Sequence, residues 1–333
     1  MVMIDRMFDG FELPWGFDFL PDGRVLVTEK AGRLWLMGQD GRQELTGLPE
    51  ITLHGQGGLL DVTVSRDFVK SREIFLTYAT AIGAGTGTAL GIARLEPGRI
   101  VAREIFRMSQ GSNARQHFGS RVVEAADGTL FVTIGDRGDA DAAQDLAQHN
   151  GKVLRLNRSG TIPSDNPFVG RSDARPEIWS FGHRNPQGAA LDPPAQLWTV
   201  EHGARGGDEI NRITKGTNYG WPVISYGTHY SGRKIGEGTE KSGMAQPAHY
   251  WDPSIAPSGY AIHSGQGAAA WRGLHFVGSL KFDYISVLDP RDWSETRIES
   301  RATRRVRDVT QAPDGSVWFL SEDNGAVFRM RPQ

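Results

Sequence analysis

The sequence contains no cysteine among its 333 residues. Disulfide bonds, thiolate metal sites and cysteine nucleophiles are therefore excluded. Because a chain without cysteine tolerates oxidising and reducing surroundings alike, this absence leaves the cellular compartment open.

Long apolar runs are also missing, so we expect no membrane-spanning segment. The N-terminal stretch carries Asp5, Asp9 and Glu12 where a signal peptide would need an apolar core. We therefore expect that this stretch is not a signal peptide.

Neither sign of charge dominates. The chain has 37 Lys and Arg against 39 Asp and Glu, which gives a formal net charge of −2. So small a net charge gives no electrostatic reason to bind nucleic acid, and we expect no nucleic-acid partner. A local cationic pocket is still compatible with this balance.

Turn-forming residues, by contrast, are abundant. The 42 glycines and 17 prolines indicate many short strands rather than long helices. In Pro14–Met37, alternating apolar residues flank the turn Pro21-Asp22-Gly23, and a third short strand follows. The same pattern returns in Ser120–Leu156 and in Val306–Met330.

Three looser copies of this hairpin-plus-strand unit fill the intervals between the clear ones, giving six units in all. Regular repetition of such units is typical of propeller blades, so the sequence predicts an all-β, six-bladed β-propeller. A β-sandwich is the alternative, but a sandwich does not need six matching turn patterns. We expect residues 1–333 to form a single propeller domain.

The segment before Pro14 is too short to be a blade. With Met7, Phe8 and Phe11 it has the apolar residues of a strand. We predict that this N-terminal strand adds to the outer edge of the last blade and closes the ring.

Two residues of one repeat suggest an acid–base pair. His117 precedes the first strand of its unit, and Asp136 follows the next strand in TIGDRGD. A carboxylate beside a histidine fixes its tautomer and strengthens it as a base. The alternative interpretations are a structural histidine and a turn aspartate before Gly138.

A second group of candidates lies between Gly182 and Glu209. Arg184 and Asn185 precede Pro186 in a turn, and Arg offers a rigid fork for carboxylates or developing oxyanions. The turn could instead be purely structural. Glycine-rich Glu201–Glu209 is a setting in which backbone carbonyls can converge on a hard cation such as Ca²⁺.

Cations cluster near the C-terminus, namely Lys281, Arg304, Arg305 and Arg307. Arg305 and Arg307 share strand parity, so their side chains are expected to point to the same side. Two guanidinium groups on one side can bind an anion, although a charge run is more often a solvated surface.

Ordered motifs along nearly the whole chain carry a family resemblance: LPWGFDFLPDGRVLVTE, GQGGLLDV, HFGSRVVEAADGTLFVTIGDRGD, GHRNPQG, EHGARGGDEIN, KGTNYGWP and RDVTQAPDG. On these motifs the chain resembles the pyrroloquinoline-quinone (PQQ)-dependent aldose sugar dehydrogenases, the glucose/sorbosone dehydrogenase family. The resemblance implies a six-bladed propeller that holds PQQ and Ca²⁺ in a central pocket. The implied reaction is oxidation of the anomeric carbon of an aldose to the lactone.

Site roles follow from the resemblance. His117 would be the general base, Asp136 would orient it, and Arg184 with Asn185 would contact the quinone oxygens. The backbone oxygens of Gly203 and Ala204 would hold calcium, although the family often has proline where Ala204 stands. The remaining implied contacts are the cofactor's carboxylates for Lys281, Arg305 and Arg307, cofactor or sugar for Gln56, and the sugar entrance for Trp251.

The resemblance further implies an aldose substrate, an electron acceptor that reoxidises the quinone, and a periplasmic or secreted location. Two other functions remain open at this point. A calcium-dependent lactonase-type hydrolase would need several acidic side chains around its metal, whereas a non-catalytic binding propeller would need no base.

Overall fold

The computed structural model describes residues 2–39 and 41–333, and nearly all of its regular structure is β. Twenty-four strands form within these residues. In chain order they are β1 (Val2–Phe8), β2 (Pro14–Phe19), β3 (Val25–Glu29), β4 (Arg33–Gly38), β5 (Gly41–Leu45), β6 (Leu59–Val64), β7 (Glu73–Ile82), β8 (Gly85–Glu96), β9 (Arg99–Arg107), β10 (Val122–Glu124), β11 (Thr129–Ile134), β12 (Lys152–Asn157), β13 (Ile178–Phe181), β14 (Pro186–Leu191), β15 (Leu197–Glu201), β16 (Asp208–Arg212), β17 (His249–Trp251), β18 (Pro257–Ile262), β19 (His275–Ser279), β20 (Tyr284–Asp289), β21 (Ser294–Glu299), β22 (Val306–Gln311), β23 (Val317–Ser321) and β24 (Ala326–Pro332).

Helical structure is confined to short pieces. The described residues contain one α-helix, α1 (Phe68–Ser71), and three 3₁₀ turns at Asp141–Ala143, Ala269–Trp271 and Arg301–Thr303. No helix within residues 2–39 and 41–333 has the length and apolarity needed to cross a bilayer.

The strands form six four-stranded antiparallel sheets, so the predicted six-bladed propeller is confirmed. Blades 1 to 5 are β2–β5, β6–β9, β10–β13, β14–β17 and β18–β21, each in sequential order, and blade 6 has the order β22-β23-β24-β1.

Ring closure is as predicted, because β1 pairs antiparallel with β24. Ile4 lies opposite Met330, and Phe8 packs near Trp318 with 6.2 Å between ring centroids. Just beyond β1, the Phe11 N–H donates to the Gly325 carbonyl at 3.0 Å. The last blade therefore contains both the first strand, β1, and the last strand, β24.

The composition of each strand matches its burial in the blade. Central strand β11 is buried on both faces along its whole length, because a neighbouring blade covers each face. Edge strand β9 is mostly exposed, and apart from Val101 its exposed positions carry charges. Six apolar clusters fill the interfaces between successive blades; Leu26 and Ile74, for example, belong to the cluster between blades 1 and 2.

The first strand of each blade lies innermost, and β2, β6, β10, β14, β18 and β22 pack side by side around a central channel. Hydroxyl groups on the second strands tie the ring together. Thr77 donates to the Ser120 carbonyl at 2.6 Å, and Thr133 donates to the Pro186 carbonyl at 2.8 Å. The channel opens into a cavity at each end of these strands, and the candidate site is at the end where they begin.

Candidate active site

A cavity of about 380 Å³ lies where the innermost strands begin. Every blade contributes to its lining, through Trp15, Gln56, Phe118, Gln187, Ala256 and Arg307 among others. Three of the predicted cofactor-binding cations, Lys281, Arg305 and Arg307, line it together with Gln56. The structure therefore brings together residues that are more than 200 positions apart in the sequence.

His117 and Asp136 form a hydrogen-bonded pair beside this cavity. The distance from His117 Nδ1 to Asp136 Oδ1 is 2.6 Å. The backbone N–H of His117 donates to Gln56 Oε1 at 2.9 Å, which ties the histidine to a cavity-lining side chain. Because Nδ1 points to the carboxylate, Nε2 is the nitrogen left to accept a proton.

The loop that carries His117 is fixed by the residue after Asp136. The buried guanidinium of Arg137 donates to the carbonyl of Gln116 and to that of Ala114, the latter at 2.7 Å. It also lies 3.5 Å from the centroid of the Phe118 ring. Asp136 thus holds the histidine side chain, while Arg137 holds its backbone.

Arg184 and Asn185 lie next to the same cavity. Arg184 Nη1 donates to the carbonyls of His202, at 3.2 Å, and Gly203, and Asn185 Oδ1 accepts from the Gly119 N–H at 3.1 Å. Arg184 Nε and Asn185 Nδ2 are buried, and among the described residues they have no hydrogen-bond acceptor. A buried donor without a partner is costly, so these two groups are suited to an acceptor supplied by a ligand.

The predicted calcium ligands lie on a compact turn after β15. A Cβ at Gly203 would lie 2.3 Å from the carbonyl oxygens of both Gly206 and Gly207, so only glycine fits there. The Gly203 carbonyl accepts from Arg184, and the Ala204 carbonyl accepts from Ser254 Oγ at 3.3 Å. Backbone carbonyl oxygens are among the oxygen ligands that Ca²⁺ takes in proteins.

The cationic side of the cavity holds one carboxylate. Glu322 accepts from Arg305 Nε at 2.9 Å and from Arg307 Nε at 2.7 Å, so the two arginines do point to the same side. Burial alone would raise the pKa of Glu322, but Arg307 and Arg305 lower it below its ordinary value. Burial also lowers the pKa of Arg307.

The cavity is also lined by two basic residues that the sequence analysis did not identify. Lys30 Nζ donates to the Gly55 carbonyl at 2.9 Å, and burial together with Arg307 lowers the pKa of this lysine. Burial and the charge of Arg184 lower the pKa of His202 to about 3, so His202 is neutral. Its Nε2 lies 2.7 Å from the Pro257 carbonyl.

Trp251 was expected at the sugar entrance, and the structure does not place it there. Its side chain is 5% exposed and packs in the apolar cluster between blades 4 and 5. The indole N–H donates to Glu295 at 3.1 Å, and neither residue lines this cavity; Trp251 borders a separate cavity with Ile255 and Phe282. Arg304 also faces elsewhere, into a surface groove with Arg6 and Asn324.

Comparison with known proteins agrees with this architecture. Residues 11–329 match the family described as Glucose / Sorbosone dehydrogenase. The chain is 40% identical over 350 residues to the aldose sugar dehydrogenase YliI of Escherichia coli, covering 100% of this chain and 93% of that protein. It is 29% identical to the quinoprotein glucose dehydrogenase B of Acinetobacter calcoaceticus, over 85% of this chain and 64% of that protein.

Among solved structures, the apo form of the soluble aldose sugar dehydrogenase from Escherichia coli superposes with a TM-score of 0.95. The two chains are 38% identical, and the match covers 100% of each. By fold and sequence this protein is thus an oxidoreductase. The chain belongs to the glucose/sorbosone dehydrogenase family, and the predicted resemblance is confirmed.

Proposed function

We propose that this protein oxidises the anomeric carbon of aldose sugars to the lactone, with PQQ and Ca²⁺ as cofactors. The observation that carries the proposal is the His117–Asp136 pair at 2.6 Å, linked through Gln56 to a cavity lined by several cations. The aldose specificity and the quinone also agree with the names of the related dehydrogenases.

In this proposal His117 Nε2 takes the proton of the anomeric hydroxyl. Asp136 keeps the imidazole in the tautomer with hydrogen on Nδ1 and stabilises the positive charge that follows proton uptake. When bound, PQQ would supply the acceptor for the hydride of that carbon, and Ca²⁺ would supply a Lewis acid.

The cofactor contacts are assigned by chemistry. The unpaired donors of Arg184 and Asn185 would bind quinone oxygens. The Gly203 and Ala204 carbonyls would hold calcium. The cavity-lining set Lys281, Arg305 and Arg307 would bind the cofactor's carboxylates, with Gln56 contacting cofactor or sugar.

The proposal treats residues 1–333 as one domain, and it includes an electron acceptor and the periplasmic or secreted location that the resemblance implies. A lactonase-type hydrolase is less well supported, because no group of three or more His, Asp or Glu side chains is placed to hold a metal in the described part of the chain. A pure binding propeller gives no reason for a base held by a carboxylate.

The test is to titrate purified protein with PQQ and Ca²⁺ while the absorbance is monitored. Dye reduction is then measured with several aldoses. His117→Gln is expected to bind the quinone normally and to lose about 10²–10⁴-fold in turnover. His229→Gln, at an exposed loop histidine, is the matched control and should retain full turnover. Demonstrated quinone binding without any sugar-dependent reduction would refute the proposal.

A further inference from the structure

Trp221 contacts both Asp136 of the His117–Asp136 pair and the guanidinium of Arg184. Its indole N–H donates to Asp136 Oδ2 at 2.9 Å, while the other carboxylate oxygen, Oδ1, lies 2.6 Å from His117 Nδ1. The guanidinium of Arg184 lies over the same indole, 5.2 Å from the ring centroid. One side chain therefore contacts both the carboxylate of the base pair and the neighbouring cation.

We propose that Trp221 is a positioning residue for the His117–Asp136 pair. A carboxylate can rotate about its Cβ–Cγ bond, and a single hydrogen bond does not fix that angle. The Gly138 N–H donates to Oδ1 at 2.7 Å, and Trp221 holds Oδ2, so the plane of the carboxylate is set by donors on both oxygens. With that plane fixed, Oδ1 faces the imidazole and favours the Nδ1–H tautomer.

The indole is held independently of the groups that it positions. The Trp221 backbone N–H donates to the Gly182 carbonyl at 2.9 Å, and Gln144 Nε2 donates to the Trp221 carbonyl at 2.6 Å. Because the backbone is anchored in this way, replacing the indole by a phenyl ring is expected to remove the N–H and to leave a ring beneath Arg184. The catalytic consequence rests on the proposed function, whereas the effect on the imidazole does not.

Trp221→Phe tests the inference directly in the cofactor-free protein. The protein has nine histidines, so ¹⁵N-labelled histidine spectra can be assigned for His117 by comparison with His117→Gln. We expect wild-type His117 to be mainly the Nδ1–H tautomer, and Trp221→Phe to show a measurable rise in the Nε2–H tautomer.

Trp198→Phe is the matched control. It also removes an indole N–H from a carboxylate, Asp192 Oδ2 at 3.0 Å, but in a different part of blade 4. If His117 shows the same tautomer populations in Trp221→Phe as in Trp198→Phe, the inference is wrong.

Steady-state kinetics of the quinone-loaded protein provide a second test of the role of Trp221. Loss of a hydrogen bond to a charged acceptor is expected to lower kcat by about 10-fold in Trp221→Phe. KM for the sugar should change by less than about 2-fold, and Trp198→Phe should match the wild type. An unchanged kcat in Trp221→Phe would also overturn the inference.

The two proposals fail differently. If wild-type protein binds quinone but does not oxidise sugars, the proposed function is wrong, and the tautomer measurement still decides the role of Trp221. If Trp221→Phe does not fold, Gln144→Ala removes the amide that anchors the Trp221 backbone and leaves the indole in place. This variant should then show the same change in tautomer to a smaller extent, and no change would overturn the inference.

Discussion

The two ends of the central channel carry charges of opposite kinds. Where the innermost strands begin, the cavity lining contains four cationic side chains and one carboxylate, Glu322; the cations are Lys30, Lys281, Arg305 and Arg307. Where those strands end, a second cavity of about 310 Å³ contains three aspartates around one arginine: Asp18, Asp61, Asp308 and Arg121.

The hydrogen bonds at the far end show that these charges hold the ring together. Asp18 Oδ2 accepts from the Val64 N–H of the next blade at 2.7 Å, and Asp61 Oδ2 accepts from the Val122 N–H at 2.8 Å. Arg121 Nη1 lies 2.6 Å from Asp61. At the cavity end, by contrast, buried donors of Arg184 and Asn185 lack acceptors in the described chain. The far-end charges thus pair with groups of the scaffold, whereas the cavity-end donors of Arg184 and Asn185 are available to a ligand.

The strongest test of this contrast is Arg121→Met. It leaves two buried carboxylates, Asp61 and Asp308, without their cation, and we expect the free energy of unfolding at pH 8 to fall by about 3–5 kcal/mol. Arg171→Met, which breaks the exposed pair with Asp173, should cost at most about 1 kcal/mol. Urea denaturation measures both, and equal losses would show that the far end is not a structural cluster.

Glu322→Gln tests the cavity end, with a smaller effect. The charge-assisted bonds to Arg305 and Arg307 are lost, so we expect stability to fall by about 1–3 kcal/mol. The freed arginines can then be neutralised by an anionic ligand. Saturating PQQ should therefore raise the Tm of Glu322→Gln more than that of the wild type. An equal rise in Tm for both proteins would contradict the idea that an anionic ligand can take the place of the Glu322 carboxylate beside the two arginines.

The smallest expected effect concerns pH. Burial raises the pKa of Asp18 to about 7, well above that of an unfolded aspartate. Folded protein therefore retains this proton between about pH 4 and 7 while unfolded chains release it, so the stabilisation is present at low pH and is lost as pH rises through 7.

Because Asp18 keeps some contact with solvent, we expect the wild type to lose about 1 kcal/mol relative to Asp18→Asn between pH 5 and pH 8. Arg171 lowers the pKa of Asp173, so the difference between the wild type and Asp173→Asn should stay constant over this range. Denaturant titrations at several pH values give both differences. A constant difference for Asp18→Asn would contradict a raised pKa.

The blades could be predicted from sequence because their causes are local. Period-2 alternation and Asp-Gly turns define each hairpin within about 20 residues, and the apolar positions of β1 indicate a strand without naming its partner. Arg305 and Arg307 do point to the same side, as predicted, although Arg305 lies just before β22 with φ of 45° and strand parity is therefore not the cause.

The residues that the sequence analysis did not place correctly, or did not identify, make contacts between different blades or between distant parts of the chain. Lys30 and Glu322 reach the same cavity from blades 1 and 6, and no sequence spacing relates them. Trp251 sits in a motif-like stretch, but its position in the last strand of blade 4 buries it between blades. Trp221 could have been noticed in the Gly-Trp-Pro turn, although its partner Asp136 lies 85 residues earlier.

The pairing of β1 with β24 has a consequence during synthesis. At roughly 5–20 residues per second, β1 waits roughly 15–65 s before its partner has been made. A waiting edge strand can pair with other chains, and charges on such an edge oppose that pairing. β1 carries Asp5 and Arg6 in its middle, and Asp5 later receives Arg329 at 3.0 Å and Arg331 at 2.8 Å. The charge of Asp5 would therefore oppose pairing of β1 with other chains before β24 is made, and it favours β24 afterwards through the two ion pairs.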